Sequence, residues 1–195
     1  MTESQIKKYT NLNELADHNG IVIFGGSDDI NIPLGELRQA FSIDSKMYNR
    51  SIENLSIKDA VSIYEKCVAP LFPDTVLLHI GEADLVFLQE NPSEFNSKYR
   101  ELLSYIRAQN PNCRIAIISL RNYECDSLIE EMNKNLKNIA NSEMCEYGDI
   151  STKKVWNPKS TKEAVSFVYS IGFVRPLKNA RPLYDLVKML FCYTV

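Results

Sequence analysis

The chain has 195 residues, of which 45% are hydrophobic and 24% charged, and its formal net charge is -3. This composition is typical of a globular domain with a sizeable core. A slightly acidic chain without a Lys/Arg block excludes an electrostatic nucleic-acid surface. No apolar run approaches the ~20 residues of a membrane span. The polar residues 1–5 contain no secretory apolar stretch, which predicts a cytoplasmic protein.

The hydrophobic pattern alternates short apolar runs with longer helical stretches. Runs such as residues 21–24 are continuously apolar and β-branched, which favours strands buried on both faces of a parallel sheet. The predicted strands are residues 21–24, 46–50, 75–80, 114–120 and 144–147. The predicted helices are residues 5–17, 32–41, 56–71, 92–109, 126–140 and 182–191. This order predicts an α/β fold, a three-layer flavodoxin-like sandwich with helices on both faces, in one domain of residues 1–195.

The cysteines predict neither a disulfide framework nor a metal site. They are odd in number, widely spaced and without a C-x-x-C pair. Neither of the two histidines, His18 and His79, lies beside them at the spacing of zinc ligands. We therefore expect reduced thiols, no metal and no cofactor. The five residues are Cys67, Cys113, Cys125, Cys145 and Cys192.

Two polar motifs follow predicted strands, at the edge where α/β proteins build their sites. Residues 25–28 read Gly-Gly-Ser-Asp and residues 81–84 read Gly-Glu-Ala-Asp. The first motif presents Ser27 on a glycine-rich turn. We interpret His79 as a buried structural histidine, His18 as a surface residue, and the acid pair Asp28 and Asp29 as a solvated loop.

With these motifs placed, the chain resembles the SGNH, or GDSL-type, hydrolases, especially their carbohydrate esterases. Residues 74–85 (DTVLLHIGEADL) look like the third block of that family, a strand that runs into Gly-x-Asn-Asp. Residues 21–28 look like the first block, and residues 49–54 lie at the spacing of the second. The resemblance covers residues 20–150. It leaves residues 1–19 as an N-terminal helical extension and residues 151–195 as a divergent C-terminal part.

The resemblance implies ester hydrolysis by a serine, with a histidine of an Asp-x-x-His element as the base and three oxyanion donors. Ser27 keeps the nucleophile position, although Gly26 replaces the aspartate before it. Asn54 stands at the glycine position of the second block, and Ala83 stands where the donor asparagine belongs. The third-block residues that are retained are Gly81 and Asp84.

The Asp-x-x-His element is missing. The best alignment near the C-terminus places Arg175 at the histidine position, and a guanidinium stays protonated, so it cannot be a general base. No histidine follows His79 in the chain. We therefore expect a catalytically impaired protein that binds a small polar or carbohydrate ligand, or a protein partner. The predicted binding residues are Gly26, Asn54, Gly81, Glu82, Ala83, Asp84 and Arg175.

Alternatives stay open at the level of sequence. Ser27 can act as a non-standard esterase or acyl transferase if a carboxylate, Glu82, Asp84 or Asp28, takes its proton, or if a partner chain supplies a base. The Gly25-Gly26 turn permits a Rossmann-like nucleotide site, but the two acids beside it would repel phosphate. Arg175 either faces the cleft or forms a surface ion pair. The oligomeric state is not indicated.

Overall fold

The structure is a computed structural model that describes residues 2–122, 124–151 and 190–191. Strands and helices alternate along these residues. The strands are β1 (Ile21–Gly25), β2 (Met47–Asn49), β3 (Thr75–His79), β4 (Arg114–Ile118) and β5 (Glu146–Gly148). The helices are α1 (Thr2–Asn13), α2 (Leu34–Ala40), α3 (Ile57–Cys67), α4 (Leu85–Glu90), α5 (Pro92–Gln109) and α6 (Ser127–Ser142). Short 3-10 turns lie at Ser27–Asp29, Ala69–Leu71 and Glu82–Asp84.

The strands form one parallel sheet in the order β2-β1-β3-β4-β5. β1 and β3 pair over their full length, with Ile21 opposite Thr75 and Gly25 opposite His79. The chain leaves β1 toward β2 on one side and then crosses to β3 on the other side. The carboxyl ends of β1 and β3 therefore form a topological switch point, where open α/β sheets place their ligand sites.

Two cores cover the two faces of the sheet, because alternate strand residues point to opposite sides. On one face, Val22, Phe24 and Leu78 pack with α1, α3, α5 and α6. On the other face, Ile23, Leu77 and further apolar residues pack with α2 and with Leu190 and Phe191. This is the predicted three-layer α/β sandwich, and the fold class is confirmed.

Local signals explain where the helices begin. The hydroxyl of Ser56 caps α3 by accepting from the N–H of Lys58 at 3.3 Å. The carboxylate of Asp126 caps α6 in the same way, accepting from the N–H of Leu128 at 2.7 Å. α5 begins with Pro92, which suits a first helical turn because its missing N–H needs no partner there.

Most element predictions are confirmed within a few residues, and α5 is matched over its whole length. α1 begins and ends earlier than predicted, at Thr2 and Asn13, and α4 was not predicted from the pattern. Of the predicted C-terminal helix, Leu190 and Phe191 are helical and buried, while the rest lies outside the described residues. The single-domain boundary and the divergent tail stay predictions. None of the helices in the described ranges combines the length and apolar character that a bilayer crossing requires.

Two glycine substitutions test how closely the backbone of Gly25 approaches Asp29 and His79. A Cβ on Gly25 would lie 2.0 Å from Oδ2 of Asp29 and 2.8 Å from the carbonyl oxygen of His79. We expect Gly25→Ala to lower the free energy of unfolding by about 1–3 kcal/mol, measured by urea denaturation, because the overpacked atoms must move. Gly35→Ala in α2 is the matched control. It meets nothing within 4 Å, and we expect a gain of up to about 1 kcal/mol in stability. Equal stability of Gly25→Ala and the wild type would contradict this close approach.

Candidate functional site

The loops after β1, β2 and β3 meet at the switch point of the sheet. Ser27 begins the 3-10 turn after β1, Asn54 lies in the loop after β2, and Glu82 begins the 3-10 turn after β3. Three of the residues singled out in the sequence are thus brought to one edge, as their positions after parallel strands predicted. The loop after β4 adds Arg121 to the same edge.

Ser27 and Asn54 are in direct contact. The Oγ of Ser27 accepts a hydrogen bond from the N–H of Asn54 at 3.0 Å. Asn54 has a φ of +54°, in the left-handed region where glycine and asparagine are the commonest residues. Asparagine thus adopts here a conformation that a glycine would take without strain, and its N–H is directed at the serine hydroxyl. An N–H placed this way is of the kind that stabilises an oxyanion.

Asn49 and Ser51 hold the two loops together. The side-chain amide of Asn49 donates to the carbonyl oxygen of Asp29 at 2.6 Å, and its Oδ1 accepts from the N–H of Ser51 at 2.9 Å. The hydroxyl of Ser51 accepts from the N–H of Gly25 at 3.2 Å. These bonds join the turn after β1 to the loop after β2, so the Ser27–Asn54 contact has a firm support.

A buried contact between Asp29 and His79 anchors the turn that carries Ser27. Nδ1 of His79 lies 2.9 Å from both carboxylate oxygens of Asp29, and the two side chains are 4% and 0% exposed. The prediction of a buried structural histidine is confirmed. The prediction of a solvated Asp28-Asp29 loop is wrong for Asp29, because its carboxylate points inward at an imidazole and not outward to water.

The charge of this pair is set by competition between burial and attraction. Burial acts to lower the pKa of His79, but the charge and hydrogen bond of Asp29 outweigh it, so that the pKa is raised above its ordinary value. The ring also packs edge-on against Phe191, with centroids 5.2 Å apart. Its other nitrogen, Nε2, is buried and has no hydrogen-bond partner among the described residues, Ser27 included.

Asp84 is fully used by the fold. It is 1% exposed, and its two oxygens accept from the hydroxyl of Ser56 at 2.6 Å and from the N–H of Ile57 at 2.8 Å. Burial raises the pKa of Asp84, although these hydrogen bonds act in the opposite direction. The carboxylate therefore secures the amino end of α3. Gly81, with a φ of +141°, makes the sharp exit from β3, and Ala83 is exposed.

Glu82 lies beside the glycine turn. One of its carboxylate oxygens is 3.3 Å from the position that a Cβ on Gly26 would occupy. Burial raises the pKa of Glu82, and the negative charge of nearby Asp28 raises it further, while the charge of His79 acts in the opposite direction. Glu82 is thus the carboxylate that faces the Gly26–Ser27 turn without being taken up by a helix end.

Arg121 is a site residue that the sequence reasoning missed. Its guanidinium lies 3.4 Å from the Asp28 carboxylate and donates to the carbonyl oxygen of Phe191 at 2.8 Å. The side chain of Arg121 is 11% exposed, whereas that of Asp28 is 48% exposed. Arg121 follows β4 as Ser27 follows β1, so applying the strand-end rule to every predicted strand would have found it.

The fold of this chain is similar to that of several solved structures. No family model matches the chain, and no curated protein matches it in sequence. A solved structure of a Streptococcus pneumonia protein named after platelet activating factor shares 17% identity at a TM-score of 0.65, over 86% of this chain and 92% of its own. A GDSL-like lipase from Bacteroides thetaiotaomicron shares 15% identity at a TM-score of 0.56, over 85% and 91%. A carbohydrate esterase of family 3 from Talaromyces cellulolyticus shares 14% identity at a TM-score of 0.56, over 78% and 94%.

The chain has the fold of the SGNH, or GDSL-type, hydrolases. This confirms the fold expected from the resemblance of residues 20–150. At these identities the likeness extends to the fold and not to the activity, so the chemistry of this chain has to be argued from its own residues.

Several expectations about the site stay predictions. Arg175 lies outside the described residues, as does the C-terminal segment in which the Asp-x-x-His element would be expected. The binding roles expected of Gly26, Asn54, Glu82 and Ala83 are not decided by position alone. Among the described residues, no group of three or more His, Cys, Asp or Glu side chains is arranged to hold a metal ion.

A pH series of unfolding tests the Asp29–His79 pair. The unfolded histidine titrates near its ordinary pKa of about 6.5, and the pKa in the folded protein is raised. The folded state therefore binds the proton more tightly than the unfolded state. This stabilisation is complete below about pH 6.5 and is lost as the pH rises through the folded-state pKa. We expect the wild-type free energy of unfolding, measured in urea, to fall over that window.

Two variants show whether the pH dependence of stability comes from His79. His18→Gln removes the exposed histidine and should keep the wild-type pH profile. Asp29→Asn should lose the fall above pH 6.5 and about 3–5 kcal/mol of stability, because a buried pair loses one partner. A wild-type profile that stays level from pH 6.5 upward would show that His79 is not held in its charged form.

Proposed function

We propose that this SGNH-type protein binds a small polar ligand, most specifically a carbohydrate, at the edge formed by Ser27, Asn54 and Glu82, and that it does not hydrolyse esters at the rate of a complete triad. The observation that carries the proposal is the commitment of His79 to Asp29 at 2.9 Å. Both histidines of the chain lie among the described residues, and the buried one is thereby used within the fold rather than by the serine.

The other histidine is at the wrong end of the sheet. His18 precedes the first residue of β1, and its ring packs on Phe72 with centroids 5.4 Å apart. Ser27 follows the last residue of the same strand. A strand of five residues rises about 16 Å at ~3.3 Å per residue, so His18 is far from the serine hydroxyl. Neither histidine of this chain acts as the base.

Two buried carboxylates, Asp84 and Asp29, are also bound within the fold and do not serve Ser27 as a base. Asp84 secures α3 through Ser56 and Ile57, and Asp29 is paired with His79. Without a base, loss of triad chemistry lowers ester hydrolysis by several orders of magnitude. Ala83 at the position of the donor asparagine lacks a group whose loss on its own costs a factor of about a hundred to a thousand, and the two losses are not additive.

The groups left at the edge suit hydroxyl groups of a ligand. The N–H of Asn54 is taken up by the Ser27 oxygen, which leaves the Ser27 O–H as a donor and the Glu82 carboxylate as an acceptor for the ligand. Asp28 and Arg121 already neutralise each other, which favours a ligand without a strong charge. Two structural neighbours are named as an acetyl xylan esterase and a carbohydrate esterase, and these names support carbohydrate as the ligand class.

A second candidate function rests on Glu82. Its raised pKa makes it a stronger base than an ordinary glutamate, and it lies beside the Gly26–Ser27 turn. In this mechanism Glu82 takes the proton of Ser27 as Oγ attacks an ester carbonyl, and the Asn54 N–H stabilises the oxyanion. The ester C–O bond then breaks, Glu82 returns the proton to the leaving alcohol, and water or a second alcohol attacks the acyl group on Ser27 and releases it. The protein would then be a slow esterase or acyl transferase.

One titration distinguishes the two candidates. Acetylated xylotriose is added to ¹⁵N-labelled protein, and the same NMR sample reports amide shifts and released acetate. We expect the amide signals of Ser27, Asn54 and Glu82 to shift without growth of the acetate signal. We expect Glu82→Gln to weaken binding about tenfold, because a hydrogen bond to a charged group is lost.

Glu90→Gln, which removes the same charge at the far end of α4, is the control and should bind as the wild type does. Acetate release that Ser27→Ala abolishes would establish the second candidate in place of the first. If the site amides do not shift at millimolar concentrations of the sugar, the carbohydrate proposal is wrong.

A further inference from the structure

One face of α1 is devoted to the loop that leads to Asn54. Gln5, Tyr9 and Asn13 are spaced four residues apart and therefore line one side of the helix. Each of them bonds to the segment 50–53, and the order along the helix is the reverse of the order along the segment. One face of α1 therefore forms a continuous row of hydrogen bonds to this segment.

The three contacts are specific. Oε1 of Gln5 accepts from the N–H of Glu53 at 3.3 Å, and the hydroxyl of Tyr9 donates to the carbonyl oxygen of Ser51 at 2.8 Å. Oδ1 of Asn13 accepts from Nε and Nη2 of Arg50 at 3.0 and 2.9 Å. These bonds satisfy backbone and guanidinium groups that would otherwise be costly to bury.

Arg50 is the centre of this contact. It is 5% exposed, and its guanidinium lies over the rings of Tyr9 and Tyr48, at 5.1 and 5.5 Å from their centroids. Its Nη1 donates to the carbonyl oxygen of Asn49 at 2.9 Å. A buried guanidinium enclosed by two aromatic rings and three acceptor contacts has little freedom to move. The backbone between Asn49 and Asn54 is therefore fixed from the α1 side.

We propose that α1 is a positioning element of the ligand site, in which Gln5, Tyr9 and Asn13 hold the segment 50–53 so that the N–H of Asn54 stays directed at Ser27. The inference rests on the proposed function, because it assigns a role to α1 in that same site. Helix α1, which lies within the N-terminal extension of the sequence interpretation, thereby becomes a support of the binding site. Tyr9 and Arg50 act through Asn54 and do not themselves touch the ligand.

Tyr9→Phe tests this role because it removes the hydroxyl and keeps the ring over Arg50. We expect the hydrogen exchange rate of the Asn54 amide, followed by NMR, to rise about fivefold, as expected for loss of one hydrogen bond. Tyr147→Phe is the matched control, since that hydroxyl donates to the carbonyl oxygen of Asn133 at 3.2 Å from the far edge strand. The control should change the exchange of Asn54 less than twofold.

A second pair of variants tests the proposal without changing Tyr9. Gln5→Ala deletes the acceptor of the Glu53 N–H and should also speed exchange at Asn54. Thr10→Ala deletes a hydroxyl that bonds within α1, to the carbonyl oxygen of Ile6 at 2.9 Å, and should leave Asn54 unchanged. Exchange at Asn54 that responds equally to Tyr9→Phe and Tyr147→Phe, or not at all to Gln5→Ala, would overturn the proposal.

The exchange measurement is made without ligand, so it is separate from the proposed function. If acetylated xylotriose binds to the wild type, Tyr9→Phe should weaken it only by the fraction of molecules whose loop is open, because affinity scales with the binding-competent fraction. If that sugar does not bind, the carbohydrate assignment fails, while the response of the Asn54 amide still decides whether α1 positions the loop.

Discussion

The buried contact between Asp29 and His79 is the constraint on which the site depends. It joins the turn after β1 to the last residue of β3, across the switch point of the sheet. Burying an aspartate and a histidine is costly unless they satisfy each other, so the turn has one low-energy position. Gly25 is required in the same place, because any side chain there would meet the Asp29 carboxylate. Ser27 lies two residues from Asp29 and is fixed by it.

The serine is held from a second direction by the loop after β2. Asn49 and Ser51 bond to the turn, and the N–H of Asn54 reaches the hydroxyl of Ser27. The result is a serine with an oxyanion-type donor in place. What a hydrolase adds to this arrangement is a base, and here the histidine that the fold offers at β3 serves the structure. In the proposed function the serine is positioned but not activated, so the ligand is bound rather than hydrolysed.

The strands, the helices and their order could be predicted from the sequence because they depend on local patterns of apolar and polar residues. Continuous apolar runs identified the strands, and the motifs at residues 25–28 and 81–84 were correctly placed at one edge. Asp29 was misjudged because two adjacent acids are typical of a surface loop, and its histidine is 50 residues away. The engagement of Asp84 by Ser56, 28 residues away, is likewise invisible locally. Arg121 was missed because it follows β4 without a glycine motif.

The most direct test of the account asks whether Ser27 is activated. A fluorophosphonate forms a covalent adduct with a serine only when a nearby base raises its nucleophilicity. The protein and its Ser27→Ala variant are incubated with such a probe, and their intact masses are measured. We expect both masses to stay unchanged, because in the proposed binding function the hydroxyl is positioned by Asn54 and no base activates it. An adduct on Ser27 that is absent from Ser27→Ala would contradict the account and would show that the site is catalytically competent.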